Sequence, residues 1–316
     1  MQNPEVNKAV EFSRPPSHIV RNSLALLAVS SAIFGIGAAI IFKQLEATAL
    51  LTRNRLPPAK VVVWSPAEDK TFGFYMGEER GVFLDGKTLK VNGLTDDQLT
   101  RCAKYPEPKT IDLLNCESLT GSGLKHLISR SPETLKFRSE IQDKYFKYMA
   151  QMPELENIDF RDLKQADGSG FLALTELKKL KYLTLDGCQV SDTMLKNISK
   201  IDSVKVIRLT NSKGFGAKGL SHLQTRPLTY LNLNGTDLDD DKLKELAGLS
   251  VSEFSITDNP EISNKSAEVI KTFKNIGSIS FANSGIDTTQ RMKLAAHFGL
   301  RYDLKKEMAI KKQQKQ

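Results

Sequence analysis

The chain has 316 residues, of which 40% are hydrophobic, and this composition is ordinary for one large folded domain or two small ones. Three cysteines exclude a disulfide framework, and four histidines leave few ways to build a zinc cluster. The net charge of +8 arises at the two ends, since 1–60 carry seven Lys and Arg against three acidic residues and 301–316 carry six against two. The 240 residues between them balance at 32 against 32, which disfavours nucleic-acid binding.

Residues 24–42 read LALLAVSSAIFGIGAAIIF and carry no charge between Arg21 and Lys43. At about 1.5 Å of rise per residue, a helix of this length matches the hydrocarbon core of a bilayer. A polar leader, 1–23, precedes the run and is longer than that of a cleaved signal peptide. The sequence therefore predicts a single-pass protein of a bacterial inner membrane or an organellar membrane. The flanking positive charges are nearly balanced, which leaves open the side on which the large domain lies.

Small residues recur at every fourth position of this predicted membrane helix, at Ser31, Gly35 and Ala39. They share one helix face, where a second membrane helix can pack closely. Small residues are also common in membrane helices for other reasons, so helix association is one of two interpretations.

A repeat follows the juxtamembrane spacer at 43–60. Each unit has two alternating apolar residues, typical of a strand with one buried face, then a turn and a helix. Stacked units of this kind share one core that a single unit cannot form. The apolar pairs recur every 22 to 25 residues, at Leu89/Val91, Ile111/Leu113, Leu135/Phe137, Ile158/Phe160, Leu183/Leu185, Ile207/Leu209, Leu231/Leu233, Phe254/Ile256 and Ile279/Phe281.

The spacing of Leu180, Leu183, Leu185 and Cys188 resembles the leucine-rich repeat superfamily, and units of about 24 residues are similar to its ribonuclease-inhibitor-like and cysteine-containing branch. The resemblance implies an α/β, right-handed solenoid of about nine β-α units over 87–300, with a parallel sheet on the concave face and a role in protein binding. Residues 61–86 are predicted to form a β-rich N-terminal cap, and 301–316 a basic C-terminal tail. Since the third and fourth units lack the small polar residue that follows the strand elsewhere, we expect irregularity there.

Candidate catalytic and metal-binding groups lie far apart in the predicted stack. His126 and His222 occupy the same position four units apart, about 19 Å at a strand spacing of about 4.8 Å. By the same spacing Cys116 and Cys188 are about 14 Å apart, too far for a disulfide. The acidic run 239–241 stands where a helix begins, so helix capping is preferred to a calcium site. The sequence has no phosphate loop and no hydrolase motif, and we expect no enzyme, no cofactor and no metal.

The candidate site is the concave face of the predicted sheet. Strand side chains alternate, so the residues between and beside the buried apolar pairs point outward. Arginine and tyrosine often carry the binding energy of protein interfaces. The predicted protein-binding residues are Lys136, Arg138, Arg161, Tyr182, Arg208 and Tyr230.

The leading prediction is a non-enzymatic, membrane-anchored scaffold that binds a protein partner through this face. A first alternative is an accessory or assembly subunit of a bacterial or mitochondrial inner-membrane complex, held by its membrane helix and tail. A second alternative is binding of anionic lipid through the basic ends, since each basic residue near such a surface contributes about 1 kcal/mol. Nucleic acid is disfavoured because the neutral body has no basic groove.

Overall fold

The computed structural model describes residues 81–105, 107–138 and 140–300. These residues belong to one compact unit, Ala59–Gln316. The predicted leader, membrane helix, spacer and basic tail, at 1–23, 24–42, 43–60 and 301–316, lie outside the described residues. The same holds for Ser31, Gly35 and Ala39 and for 61–80 of the predicted cap. Within the described part of the chain, every helix is too short or too polar to cross a bilayer.

One sheet of ten strands runs through the described residues, with the strands in chain order. β1 (Gly81–Asp85) is antiparallel to β2 (Thr88–Asn92), and each later strand is parallel to the one before it. The fold is therefore a mixed α/β repeat solenoid. The later strands are β3 (Thr110–Asn115), β4 (Thr134–Phe137), β5 (Asn157–Arg161), β6 (Tyr182–Asp186), β7 (Val206–Arg208), β8 (Leu228–Asn232), β9 (Val251–Ser255) and β10 (Ser278–Ser280).

The strand register follows the sequence alignment of the apolar pairs. Leu89 pairs with Ile111, and the chain of partners continues through the first apolar residue of every later strand. The register is continuous through β4 and β5, the strands of the third and fourth units. A register shift occurs instead between β2 and β3, at Lys90 and Asn92.

The outer segments change from mostly 3-10 helix to α-helix along the chain. Most of those after β2 to β5 are 3-10 helices, at Asp96–Lys104, Ser122–His126, Ile128–Arg130, Asp143–Tyr145 and Ser169–Glu176, with one short α-helix, α1 (Phe146–Met149). From β6 onward they are α-helices, and Ser191, Asp239 and Asp287 cap three of these with side-chain oxygens. The α-helices are α2 (Asp192–Ile198), α3 (Ala217–Gln224), α4 (Asp240–Lys244), α5 (Ser266–Lys271) and α6 (Thr288–His297).

The core lies between the sheet and the outer segments. The inward strand residues and the apolar residues of the outer segments form one continuous buried cluster. In its middle, the rings of Phe137 and Phe160 stack at 5.4 Å between centroids, and Phe146 contacts Phe160 at 5.5 Å and Phe171 at 4.8 Å. Because these aromatic residues come from neighbouring units, each unit completes the core of the next.

A second set of contacts joins the units through aspartate. Two backbone N–H groups, of Gly121 and Gly123, donate to Asp96 Oδ1 at 3.1 and 2.7 Å, and Thr120 N donates to Asp96 Oδ2 at 2.9 Å. Burial disfavours the ionised carboxyl, but these donors outweigh it and lower the pKa of Asp96. Three further aspartates accept a backbone N–H of the following unit in the same way. Gly170 N donates to Asp143 at 2.6 Å, Gly216 N to Asp192 at 2.6 Å and Ser263 N to Asp240 at 2.9 Å.

The small polar position after each strand bonds the backbone of neighbouring strands. Cys116 Sγ donates to Val91 O at 3.1 Å, Ser212 Oγ to Leu185 O at 3.0 Å and Asn259 Nδ2 to Leu233 O at 2.7 Å. The third unit uses a different arrangement there. Its Glu140 carboxylate accepts the N–H groups of Lys164 and Gln165 in the following unit. The fourth unit buries Leu163 at the same position.

Candidate functional site

The open face of the sheet, opposite the outer segments, carries the sequence-predicted binding residues. The register aligns the middle residue of each strand into one row, which we call the central row. The partners along it are consecutive from β2 to β10. The central row consists of Lys90, Asp112, Lys136, Asp159, Thr184, Arg208, Asn232, Ser255 and Ser280.

Charge alternates along the first part of the central row. Lys90, Asp112, Lys136 and Asp159 follow one another on adjacent strands. Neighbouring strands are about 4.8 Å apart, so Asp112 and Lys136 each lie between two residues of opposite charge, and Lys90 and Asp159 at the ends each lie beside one. The face is thus a neutral mosaic, whereas the predicted site consisted of cationic and aromatic residues alone.

Two of the predicted arginines are engaged in ion pairs. Arg138 Nε lies 3.5 Å from Asp162 Oδ2, and both side chains are about half exposed. Exposed pairs of this kind contribute little to stability, so Arg138 remains available to a partner. Arg161 Nη2 donates to Asp159 Oδ2 at 3.1 Å. This bond raises the pKa of Arg161, and the charges of Asp159, Asp186 and Asp112 add to the effect.

The aromatic residues stand on one flank of the central row. Tyr182 is 40% exposed. The guanidinium of Arg208 lies 5.1 Å from the ring centroid of Tyr230, within cation-π range. Asn232 Nδ2 donates to Tyr230 Oη at 3.0 Å, which holds the ring in place. Arg208 and Tyr230 are therefore in contact, and Tyr182 lies in the same row of the register as Tyr230, with Val206 between them.

Toward the C-terminal end, the open face satisfies its own polar groups. Asn234 Oδ1 accepts from Ser255 Oγ at 2.7 Å and from Thr257 N at 2.8 Å. Asn232 Oδ1 accepts from Asn234 N at 2.8 Å. These uncharged side chains are already paired, whereas Glu253 on β9, the register partner of Tyr230, is exposed.

The three thiols are buried, and the two histidines singled out in the sequence lie outside the open face. Burial raises the pKa of Cys102 and Cys188 to about 12 and that of Cys116 to about 11. His126 and His222 lie on outer segments, away from the open face. Among the described residues, no group of three His, Cys, Asp or Glu side chains is arranged to hold a metal ion.

The acidic run predicted to cap a helix does so through its first member. Asp239 Oδ1 accepts from Lys242 N at 2.7 Å at the start of α4. Asp240 bonds Ser263 and Ser266 of the next unit, and Asp241 pairs with Lys244. Each carboxylate thus has a protein partner.

A cleft of about 400 Å³ opens beside the loops after β3 and β4. Its acidic lining includes Glu117, Glu140 and Asp143. Glu140 accepts N–H groups of the following unit, and Asp143 accepts Asp167 N at 2.9 Å and Gly170 N at 2.6 Å. The carboxylates of Glu140 and Asp143 therefore already accept hydrogen bonds from backbone N–H groups of the following unit.

Two arginines that join units on the outer side were not among the residues predicted from the sequence. Arg226 is 9% exposed, and its guanidinium donates to the carbonyls of Ser199, Ile201 and Val204 at 2.9 to 3.1 Å. Arg130 donates to the carbonyl of Tyr105 at 3.0 Å in the same manner. The available signal was the recurrence of Gly-Leu-x-His-Leu-x-x-Arg at 123–130 and 219–226.

Comparison with known proteins gives distant structural similarity. The chain matches no protein-family model and no curated protein. An internalin from Listeria monocytogenes str. 4b F2365 aligns with a TM-score of 0.43 and 16% identity, over 65% of this chain and 64% of the internalin. A yeast structure of the Rad7 and Elc1 complex aligns with a TM-score of 0.26 and 11% identity, over 65% of this chain and 77% of that one. The chain thus spans slightly less than two thirds of the internalin.

Proposed function

We propose that the chain is a non-enzymatic scaffold that binds a protein partner through the open face between β4 and β8. The observation that carries this proposal is the exposed Tyr182 beside the stacked pair Arg208 and Tyr230. Aromatic and arginine side chains of this kind are the usual centres of binding energy. The resemblance of the repeat to leucine-rich repeat proteins supports the same function.

The backbone beneath these residues suits a binding surface. Both β6 and β7 pair with a strand on each side, so their side chains project from an ordered support. A partner that binds such a surface loses little free energy to ordering of the scaffold. The alternating charges favour a partner with mixed polar and aromatic groups over a uniformly charged one.

The apolar run at 24–42 extends the proposal to the membrane. As a single membrane helix it would hold the scaffold close to other proteins of the same bilayer. Tethering raises the effective concentration of the scaffold for those proteins, so that a modest affinity suffices.

The test is proximity labelling with the full chain in its native membrane, followed by identification of the labelled proteins. The binding variant combines Tyr182→Ser and Arg208→Glu. Its matched control combines Leu172→Ser and Lys218→Glu, which alter exposed residues on the outer segments. We expect the binding variant to reduce labelling of a specific partner by about tenfold or more and the control to leave it unchanged.

Two results would contradict the proposal. Equal labelling by parent and binding variant would show that the open face is not used. Labelling that persists in the variant but is lost when 24–42 is replaced by an unrelated membrane helix would favour the accessory-subunit alternative.

A further inference from the structure

Asp159 and Arg161, neighbours on the open face of β5, leave two polar atoms unpaired. Asp159 is 8% exposed, and one of its oxygens accepts from Arg161 Nη2 at 3.1 Å. Within the described part of the chain, Asp159 Oδ1 and Arg161 Nε have no hydrogen-bond partner, and both are out of contact with solvent. One buried acceptor and one buried donor therefore stand unsatisfied in the same ion pair.

An unsatisfied buried polar group destabilises a protein, and the cost is larger when the group is charged. Arg226 also has an unpaired Nε, but its other guanidinium nitrogens donate to three carbonyls and to Asp202. These hydrogen bonds explain why Arg226 is buried, since they join its unit to the preceding one. The ion pair on β5 differs because each of its two residues keeps one unpaired atom, and both residues lie on the face that nothing in the described chain covers.

A partner reaches these two atoms when the Arg161 side chain turns outward. This side chain is 36% exposed and is the more exposed member of the pair. The movement separates the guanidinium from Asp159, and a new group must then satisfy both. Binding energy from such a group would offset the cost of the movement.

The surroundings select the chemistry of that group. Lys136 and Thr184 flank Asp159 on the neighbouring strands. An incoming ammonium group would satisfy Asp159 but would face Lys136 and Arg161. An incoming carboxylate would satisfy Arg161 but would face several aspartates. A primary carboxamide donates N–H to the carboxylate and offers its C=O to Nε without adding charge.

We infer that the Asp159–Arg161 pair receives an asparagine or glutamine side chain of the protein partner. This inference rests on the proposed function and names the group that the partner inserts into the open face. It places the chemical centre of recognition on β5, and Tyr182 lies on the adjacent strand, opposite Asn157.

The experiment selects random linear peptides displayed on phage against the full chain in detergent. Binders are then measured against Asp159→Ala and Arg161→Lys. The matched control is Asp112→Ala, in the same central row, because Asp112 Oδ1 is already paired with Leu114 N at 3.0 Å. We expect binders to contain an asparagine or glutamine whose replacement by glutamate or lysine weakens binding about tenfold. Asp159→Ala and Arg161→Lys should weaken it equally, and Asp112→Ala should not.

Other outcomes overturn the inference. If binders depend on lysine, arginine, serine or acidic residues at the contact, the carboxamide assignment is wrong. If binding requires Tyr182 and Arg208 but survives both β5 variants, the inference fails and the proposed function stands. If no peptide depends on any residue of the open face, both fail. Thermal unfolding of each variant controls for folding, and Arg161→Lys carries the test if Asp159→Ala is destabilised.

Discussion

Gly123 lies so close to the preceding unit that a Cβ atom added to it would stand 2.3 Å from the carbonyl oxygen of Asp96. The same glycine donates its N–H to Asp96 Oδ1 at 2.7 Å. The absence of a side chain at Gly123 therefore allows the close approach, and the close approach allows the hydrogen bond. Gly170 has the same relationship to Asp143, two units further along the chain.

We expect Gly123→Ala to lower the free energy of unfolding by about 3 kcal/mol, because backbone atoms must move to admit the methyl group. Urea denaturation followed by circular dichroism measures the change. Gly277→Ala is the control, since its Cβ would meet Ser252 O at 3.6 Å, an ordinary contact. Equal effects of the two substitutions would contradict the close-approach explanation.

Arg226→Ala should be more damaging than Arg130→Ala. The first removes the donors of three carbonyl groups at the end of α2 and leaves a buried space, for an expected loss of about 3 kcal/mol. The second removes bonds to the carbonyls of Ala103 and Tyr105 from a more exposed side chain. Midpoints of urea denaturation for the two variants give the comparison, and a larger loss for Arg130→Ala would refute this ranking.

The pH dependence of the free energy of unfolding should reveal the contribution of the Asp240 carboxylate. Burial opposes its ionisation, but hydrogen bonds from Ser263 and Ser266 prevail and lower its pKa from the usual 3.8. A lowered pKa in the folded state stabilises the protein above the unfolded value, and this contribution is lost as the pH falls through the folded value. Asp240→Asn should therefore be less stable than the parent at neutral pH, and the difference should start to shrink only as the pH falls below about 4 and be lost once the pH is below the lowered pKa of Asp240 in the folded state.

Asp241→Asn provides the control for this pH series. Asp241 is an exposed residue whose partner is Lys244 in the same helix. Exposed pairs of this type contribute little, so stability should follow the parent at every pH. A pH-independent deficit in Asp240→Asn would show that its carboxylate charge is not what joins the units.

The three cysteines should resist alkylation in the folded protein. All are buried, and burial raises their pKa to about 11 or 12, so the reactive thiolate is scarce at neutral pH. Iodoacetamide followed by mass spectrometry should find Cys102, Cys116 and Cys188 unmodified in buffer and modified in denaturant. Rapid modification of Cys116 in buffer would mean that the β2–β3 region opens locally.

The strand register was predictable because paired apolar residues at a steady interval leave one way to bury every strand on the same face. Leu89, Leu183 and Leu231 all take the expected positions. The helical type of the outer segments was not predictable, since a short apolar segment such as 169–176 fits a 3-10 or an α-helix equally well. Glycine and aspartate contacts between units were hidden because they join residues about 27 positions apart.

The orientation of the strand side chains was predictable, whereas the state of the polar atoms on the open face was not. Sequence alternation assigned Arg161 to the open face, but considering cationic and aromatic residues alone omitted Asp159, two positions before it on the same strand. The middle residues of the strands can be read from the sequence, so the alternation of Lys90, Asp112, Lys136 and Asp159 was visible there. The unpaired atoms of the β5 ion pair depend on side-chain rotamers and burial, which no linear pattern encodes.

The aspartate bonds all run toward the unit that follows in the chain, from Asp96, Asp143, Asp192 and Asp240. On the ribosome, a folded unit therefore presents its acceptor before the segment that will fill it has emerged. Each completed unit becomes a template for the next, and assembly can keep pace with translation. A chain interrupted between units would expose an unfilled carboxylate beside open core, a feature by which quality control could distinguish an unfinished product from a mature one.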